Sequence, residues 1–134
     1  MTPTTYQDYV AAFNRRDYDT VCAFFAPDVV LHSLGHTIRG HDGIRTFYRF
    51  FHQYVVEHIT VTAVVGDDRH LFAEGLMRLT GLKDLTQDVL TAHGFPRFTP
   101  VPKGLDVTVP LFLHYDLKGG LVTEIRCASY IPPD

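Results

Sequence analysis

The sequence has no tryptophan, only two cysteines, and no run of more than two basic residues. Each scarcity removes a class of protein. Cys22 and Cys127 lie far apart and follow no metal or redox spacing, which suits free thiols in a reducing compartment. Twelve Lys and Arg stand against fifteen Asp and Glu, a net charge of −3, so nothing offers the basic footprint a nucleic acid needs. No apolar stretch approaches the ~20 residues of a membrane span. The opening "MTPTTYQDYV" lacks the basic, apolar and small-residue order of a secretory leader. The expectation is a cytoplasmic protein with no nucleic-acid or membrane partner. Nucleotide-binding glycine patterns and redox-cofactor signatures are also missing, so no cofactor is expected. No internal repeat or low-complexity tract interrupts the 134 residues, which suit one domain, 1–134, large enough to bury a core.

Aromatics are plentiful by contrast, with ten Phe and seven Tyr, several of them in "TFYRFFHQY". Such a stripe reads as core before it reads as a ligand cage. Histidines also cluster: "LHSLGHTIRGH" holds His32, His36 and His41. A pair four apart converges on one ion only on a helix. Here "DVV" precedes the stretch, Gly35 and Gly40 interrupt it, and Thr37 and Ile38 are β-branched, so it reads as a strand ending in a turn. A spacing of four along a strand separates the rings by roughly 13 Å. No metal centre is therefore expected.

Periodicity gives the organisation. "TTYQDYVAAFNRR" spaces Tyr6, Tyr9, Val10 and Phe13 for a helix, and "DYDTVCAFFAPD" follows as a second, capped by Asp17 and stopped by Pro27. "DVVLHS" is a strand. "HDGIRTFYRFFHQYV" is a third helix that turns Ile44, Phe47, Tyr48 and Phe51 inward. From residue 57 the period becomes two. "EHITVTAVV", "HLFAEGLMRL", "DVTVPLFLHYDL" and "LVTEIRCASYI" read as four antiparallel strands. An insertion at 81–104 ends in the proline-rich "AHGFPRFTPVPKG", and part of "LKDLTQDVLTAH" suits a helical turn or two. Three N-terminal helices segregated from a curved antiparallel sheet define an α+β fold, a cone-shaped barrel whose lumen suits a small molecule.

This order, with "YVAAFNRRDYDTVCAFFAPDVVLHS", "RGHDGIRTFY" and "GGLVTEIRCASY", resembles the nuclear transport factor 2-like superfamily. Its SnoaL-like polyketide cyclase branch and ketosteroid isomerase are the nearest matches. The resemblance implies a lumen holding a hydrophobic substrate and an outer sheet face that often forms a homodimer. Against ketosteroid isomerase, Tyr9 and Tyr48 match two tyrosines that hydrogen-bond a developing enolate. The isomerase's basic and protonated aspartates fall at Ser33 and near Leu113, so that dyad is absent. The Asp–Arg–Asp set of limonene epoxide hydrolase falls at Glu74, Leu76 and Cys127 and is missing too.

Strand alternation supplies the remaining candidates. One face of "HLFAEGLMRLTG" carries His70, Phe72, Glu74, Leu76, Arg78 and Thr80, a mixed set that suits either solvent or lumen. The other face is continuously apolar. The resemblance implies that Glu74 and Arg78 face the lumen, where an apolar setting would suit Glu74 to acid–base work. In the last two strands Leu113, Tyr115, Cys127 and Ser129 point inward. His114, Asp116, Glu124 and Arg126 form an outer ion set. His32 and Ser33 alternate, so one faces inward; the resemblance favours Ser33, whereas a bulge would re-aim His32. His36 lies near the cone mouth, His41 faces solvent, and His52 and Phe51 stand one turn along from Tyr48.

The expected function is a cofactor-free isomerase, cyclase or dehydratase acting on a polyketide or terpenoid intermediate of natural-product biosynthesis. Glu74, Tyr9, Tyr48 and His32 or His36 would be catalytic. Ser33, Phe51, His52, Arg78, Leu113, Tyr115, Cys127 and Ser129 would bind substrate. The alternative is a non-catalytic small-molecule-binding or dimerisation domain of the same fold.

Overall fold

The computed structural model describes residues 1–130, so the final Ile131 of the last expected strand lies outside them. Three helices open the chain: α1 (Tyr6–Asn14), α2 (Tyr18–Ala23) and, after strands β1 (Phe25–Ser33) and β2 (His36–Arg39), α3 (Gly40–Phe51). Long strands β3 (Val55–Gly66) and β4 (His70–Gly81) follow. Helix α4 (Gln87–Ala92) and strands β5 (Asp106–Lys118) and β6 (Leu121–Ser129) complete the order. Asp17 caps α2 by accepting the Thr20 N–H at 3.1 Å. Asp42 sits in the first turn of α3, where its charge meets the helix dipole.

The six strands form one sheet in the order β2-β1-β6-β5-β4-β3. Helices pack against this sheet as expected for the cone-shaped α+β fold; the sheet is not closed into a barrel, and β1 runs parallel to β6 while the other pairs are antiparallel. The long β1–β6 separation in sequence makes this possible, because α3 and the meander β3–β6 return the chain to the side of β1. Strand β2 was not expected from the sequence. Its four residues pair with β1 across the Leu34–Gly35 turn, too short to show a period. Helix α2 ends at Ala23, and β1 already begins at Phe25, before Pro27.

Core and cavity share the helix-covered side of the sheet. Tyr6, Val10 and Phe13 of α1, Ile44, Phe47 and Phe51 of α3, and Leu71, Leu113, Tyr115 and Ile125 of the sheet are all buried. The β5–β6 hairpin turns through Gly119 and Gly120, both at positive φ, which a tight turn matched to strand twist requires. At Gly75 the constraint is a close approach. A bulge between Val61 and Ala63 brings the Thr60 carbonyl to 2.6 Å from where a Cβ would sit. Gly75→Ala is therefore expected to lose about 2 kcal/mol of stability, read as a lower urea midpoint at unchanged slope.

Candidate functional site

A cavity of about 670 Å³ lies between α1, α3 and the inner face of the sheet. Alternate residues of each long strand reach it because the strands present one face to the helices. Phe13, Phe47, Phe51, Ile59, Met77 and Leu111 give it a largely apolar wall. The insertion contributes Phe98, Thr99 and Val101 to the same wall. His36 stands just outside, its ring stacked on Phe98 at 5.3 Å, and it accepts the Arg97 N–H at 3.1 Å.

Of the residues singled out in the sequence, Tyr9, Ser33, Tyr48, Phe51, Leu113, Tyr115, Cys127 and Ser129 line this cavity. Glu74 and Arg78 do not. Leu71, Ala73 and Met77 are buried, so alternation turns Glu74 and Arg78 outward. Arg78 is 61% exposed and grips Asp106 with two hydrogen bonds of 2.9 and 2.8 Å. The continuous apolar face of β4 is the lumen face, because core and lumen occupy the same side of the sheet. His32 also points outward, Leu31 beside it being buried, and pairs with Glu124 at 2.7 Å. His41 is half-buried rather than solvent-facing, bonded at 3.0 Å to the Phe25 carbonyl. The outer ion set of His114, Asp116, Glu124 and Arg126 lies where alternation put it.

The acidic group the sequence reading missed is Glu57. Among the described residues it is the only charged side chain on the cavity wall. It follows β3 parity, two residues from buried Val55 and two from buried Ile59. That alternation in "VVEHI" was the available signal.

Behind Glu57 stands His52, 3% exposed, at the C-cap of α3. Its Nε2 lies 3.0 Å from Glu57 Oε1, and its Nδ1 lies 2.7 Å from the Tyr18 hydroxyl. The rings of Tyr18 and Tyr48 stack on it at 5.7 and 5.2 Å, and Phe13 meets it edge-on at 5.7 Å. This packing fixes the ring. An ionised carboxylate can only accept, so against one Nε2–H donates to Glu57, which leaves Nδ1 toward the Tyr18 hydroxyl. Glu57 Oε2 has no partner among the described residues, and no fully buried side-chain polar atom among them is unpaired. That oxygen therefore opens to the cavity.

Three phenols, Tyr9, Tyr48 and Tyr115, also line the cavity, with Tyr6 fully buried behind Tyr115. Tyr6 and Tyr115 share a hydrogen bond of 2.9 Å, and Tyr9 packs edge-on against Tyr115 with centroids 5.9 Å apart. Burial pushes Tyr6 up to about 12, and the same cause raises Tyr9, Tyr48 and Tyr115. All four stay protonated at neutral pH and remain hydrogen-bond donors. The Glu57 charge adds to the upward shifts of Tyr48 and Cys127, so these groups sense one another across the cavity. Cys127 is accessible, yet burial pushes its thiol up to about 11; the surface it exposes lines the cavity as well as a shallow outer hollow.

These shifts carry a stability consequence. A phenol whose folded-state value is raised binds its proton more tightly in the folded chain. Its contribution is complete below about pH 10 and is lost as pH rises through the folded value. Urea midpoints measured from pH 9 to 11 are expected to fall, with a shallower fall in Tyr6→Phe.

The result is an α+β domain whose partly open, largely apolar cavity carries one carboxylate and three phenols on its wall. The chain is a member of the SnoaL-like domain family, which it matches over residues 6–125. Crystal structures share the fold. A candidate polyketide cyclase from Pseudomonas putida aligns with TM-score 0.76 at 19% identity, covering 98% of this chain and 92% of that one. A SnoaL-like polyketide cyclase from Agrobacterium tumefaciens aligns with TM-score 0.72 at 17% identity, covering 97% and 92%. An epoxide hydrolase of the LEH-like type from Mycobacterium tuberculosis aligns with TM-score 0.69 at 18% identity, covering 96% and 81%. No curated protein sequence matches this chain.

Proposed function

We propose that the protein is a cofactor-free enzyme that moves a proton within a hydrophobic small molecule of polyketide or terpenoid type, by isomerisation, cyclisation or dehydration. The observation that carries this reading is Glu57, set in an apolar cavity wall with one oxygen tied to His52 and the other open. Glu57 takes the place first expected for Glu74. Its Oε2 removes a proton from carbon next to a carbonyl, and a phenol, Tyr48 or Tyr9, donates to the oxygen that becomes an enolate. His52 and Tyr18 are positioning residues: they hold the carboxylate and do not reach the substrate. Expulsion of water by the apolar wall strengthens each of these interactions.

Three of the solved relatives carry a small-molecule activity or ligand in their own names. One is a SnoaL-like polyketide cyclase, one an LEH-like epoxide hydrolase, and a third, TerC, was crystallised with polyporic acid. The assembly would be a homodimer and the setting cytoplasmic, as the resemblance and composition first implied.

The test uses 2-naphthol as a planar enol mimic. Binding should be saturable, and Tyr48→Phe should weaken it about tenfold, the loss of one hydrogen bond in a dry site. Absence of binding, or binding indifferent to Tyr48→Phe and Tyr9→Phe alike, contradicts the proposed site. A non-catalytic binding domain would instead hold the mimic while exchanging no proton of any bound ketone.

A further inference from the structure

The outer face of the sheet carries a second cluster that the cavity does not use. His70 of β4 is the register partner of Asp116 of β5, and His114 stands two residues before Asp116 on the same face. His70 Nδ1 lies 3.1 Å from His114 Nε2 and 3.1 Å from Asp116 Oδ1, and His114 Nε2 lies 3.3 Å from Asp116 Oδ1. Three potential ligand atoms thus form a nearly equilateral triangle.

Those edges have a geometric meaning. An ion bound tetrahedrally at zinc-like distances holds its ligand atoms about 3.3 Å apart. We propose that His70, His114 and Asp116 form a binding site for a divalent transition-metal ion of the zinc type, with the ion's remaining position facing out from the sheet. Two imidazoles and one carboxylate suit a borderline ion such as Zn²⁺ or Co²⁺ better than Mg²⁺ or Ca²⁺, which prefer all-oxygen sets.

Surrounding contacts fit this role. Arg126 Nη2 binds Asp116 at its other oxygen, Oδ2, at 2.9 Å, leaving Oδ1 for the ion and fixing the carboxylate plane. Phe72 stacks on His114 at 4.3 Å and holds its ring. An ion on His114 Nε2 places the ring proton on Nδ1, where it faces Arg126 Nη1 at 3.4 Å. The ion replaces the hydrogen bonds among the three ligand atoms; outside the triangle that long contact is given up, while Nη2 keeps both Asp116 and Glu124 at 2.9 Å. Ligation through His70 Nδ1 leaves its Nε2–H to solvent. A hollow of about 230 Å³ lined by Phe72, Phe112, His114 and Arg126 opens beside the triangle and leaves room for a further ligand.

The site lies on the outer sheet face, apart from the Glu57 cavity, so its test does not depend on the proposed reaction. Untagged protein is titrated with Co²⁺, reading its visible absorption, and with Zn²⁺ by calorimetry. One ion per chain is expected, with the intense absorption of a low-coordinate Co²⁺ site. His70→Gln and His114→Gln should each lose at least about tenfold in affinity, while His58→Gln, an exposed histidine on β3, should leave binding unchanged. Circular dichroism confirms that the variants are folded. Binding that is absent, not saturable at one ion per chain, or equally strong in His114→Gln overturns the proposal.

Discussion

Glu57→Gln is expected to lower turnover by about 10³-fold, the middle of the range for loss of a positioned acid–base group. Glutamine has the shape of the carboxylate and keeps an oxygen that accepts the His52 Nε2–H, so the bond recorded at 3.0 Å has a replacement. What it lacks is a basic oxygen facing the cavity. Stability should therefore change little, by about 1 kcal/mol or less. A ketone substrate should still bind, because Phe13, Phe47, Phe51 and Met77 contribute most of the contact. The signature is a loss in kcat with KM nearly unchanged. A loss confined to KM would mean that Glu57 only binds.

His52→Leu is expected to act on both stability and rate. It fills similar space but removes the partner of two groups at once, Glu57 at 3.0 Å and the Tyr18 hydroxyl at 2.7 Å. Tyr18 would keep only its 3.5 Å contact to the Tyr48 carbonyl, and Glu57 would lose its side-chain partner in a site where the histidine is 3% exposed, at a cost of about 3 kcal/mol. For a domain of this size that lowers Tm by roughly 10 °C. The freed carboxylate samples several rotamers, and turnover falls by roughly 10–100-fold, as for loss of an orienting partner. Tyr18→Phe removes only the outer link and should cost about 1 kcal/mol, with less than a tenfold effect on kcat. If His52→Leu and Tyr18→Phe were equally mild, the Tyr18–His52–Glu57 chain would be packing alone.

The sequence made the framework legible wherever one period was unambiguous. In β5 and β6 the alternation of Leu113 and Tyr115 with His114 and Asp116 put each side chain on the face where the structure has it. On β4 the same rule offers two faces, and it is the family resemblance, not the period, that assigns the polar one to the lumen. The physics favoured the other, since a lumen continuous with the core recruits the strand's apolar face. Glu57 was readable as the one polar residue at an inward position between Val55 and Ile59. Its partners were not. His52 meets Glu57 only because the chain turns between α3 and β3, and Tyr18 reaches His52 from a helix more than thirty residues away, by packing no local period encodes. The His70–His114–Asp116 triangle is equally non-local, set by the β4–β5 register.

The central claim is that Glu57, and not Glu74, is the proton-transfer group. Its most direct test is ¹H NMR of hydrogen–deuterium exchange at the carbon next to the carbonyl of a hydrophobic aryl ketone in D₂O. Wild type, Glu57→Gln and Glu74→Gln are compared side by side. The expected result is accelerated exchange in wild type, a rate within about twofold of it in Glu74→Gln, whose side chain is exposed on the outer face, and loss of at least about 10²-fold in Glu57→Gln. Exchange that persists in Glu57→Gln, or that disappears in Glu74→Gln, would contradict the account.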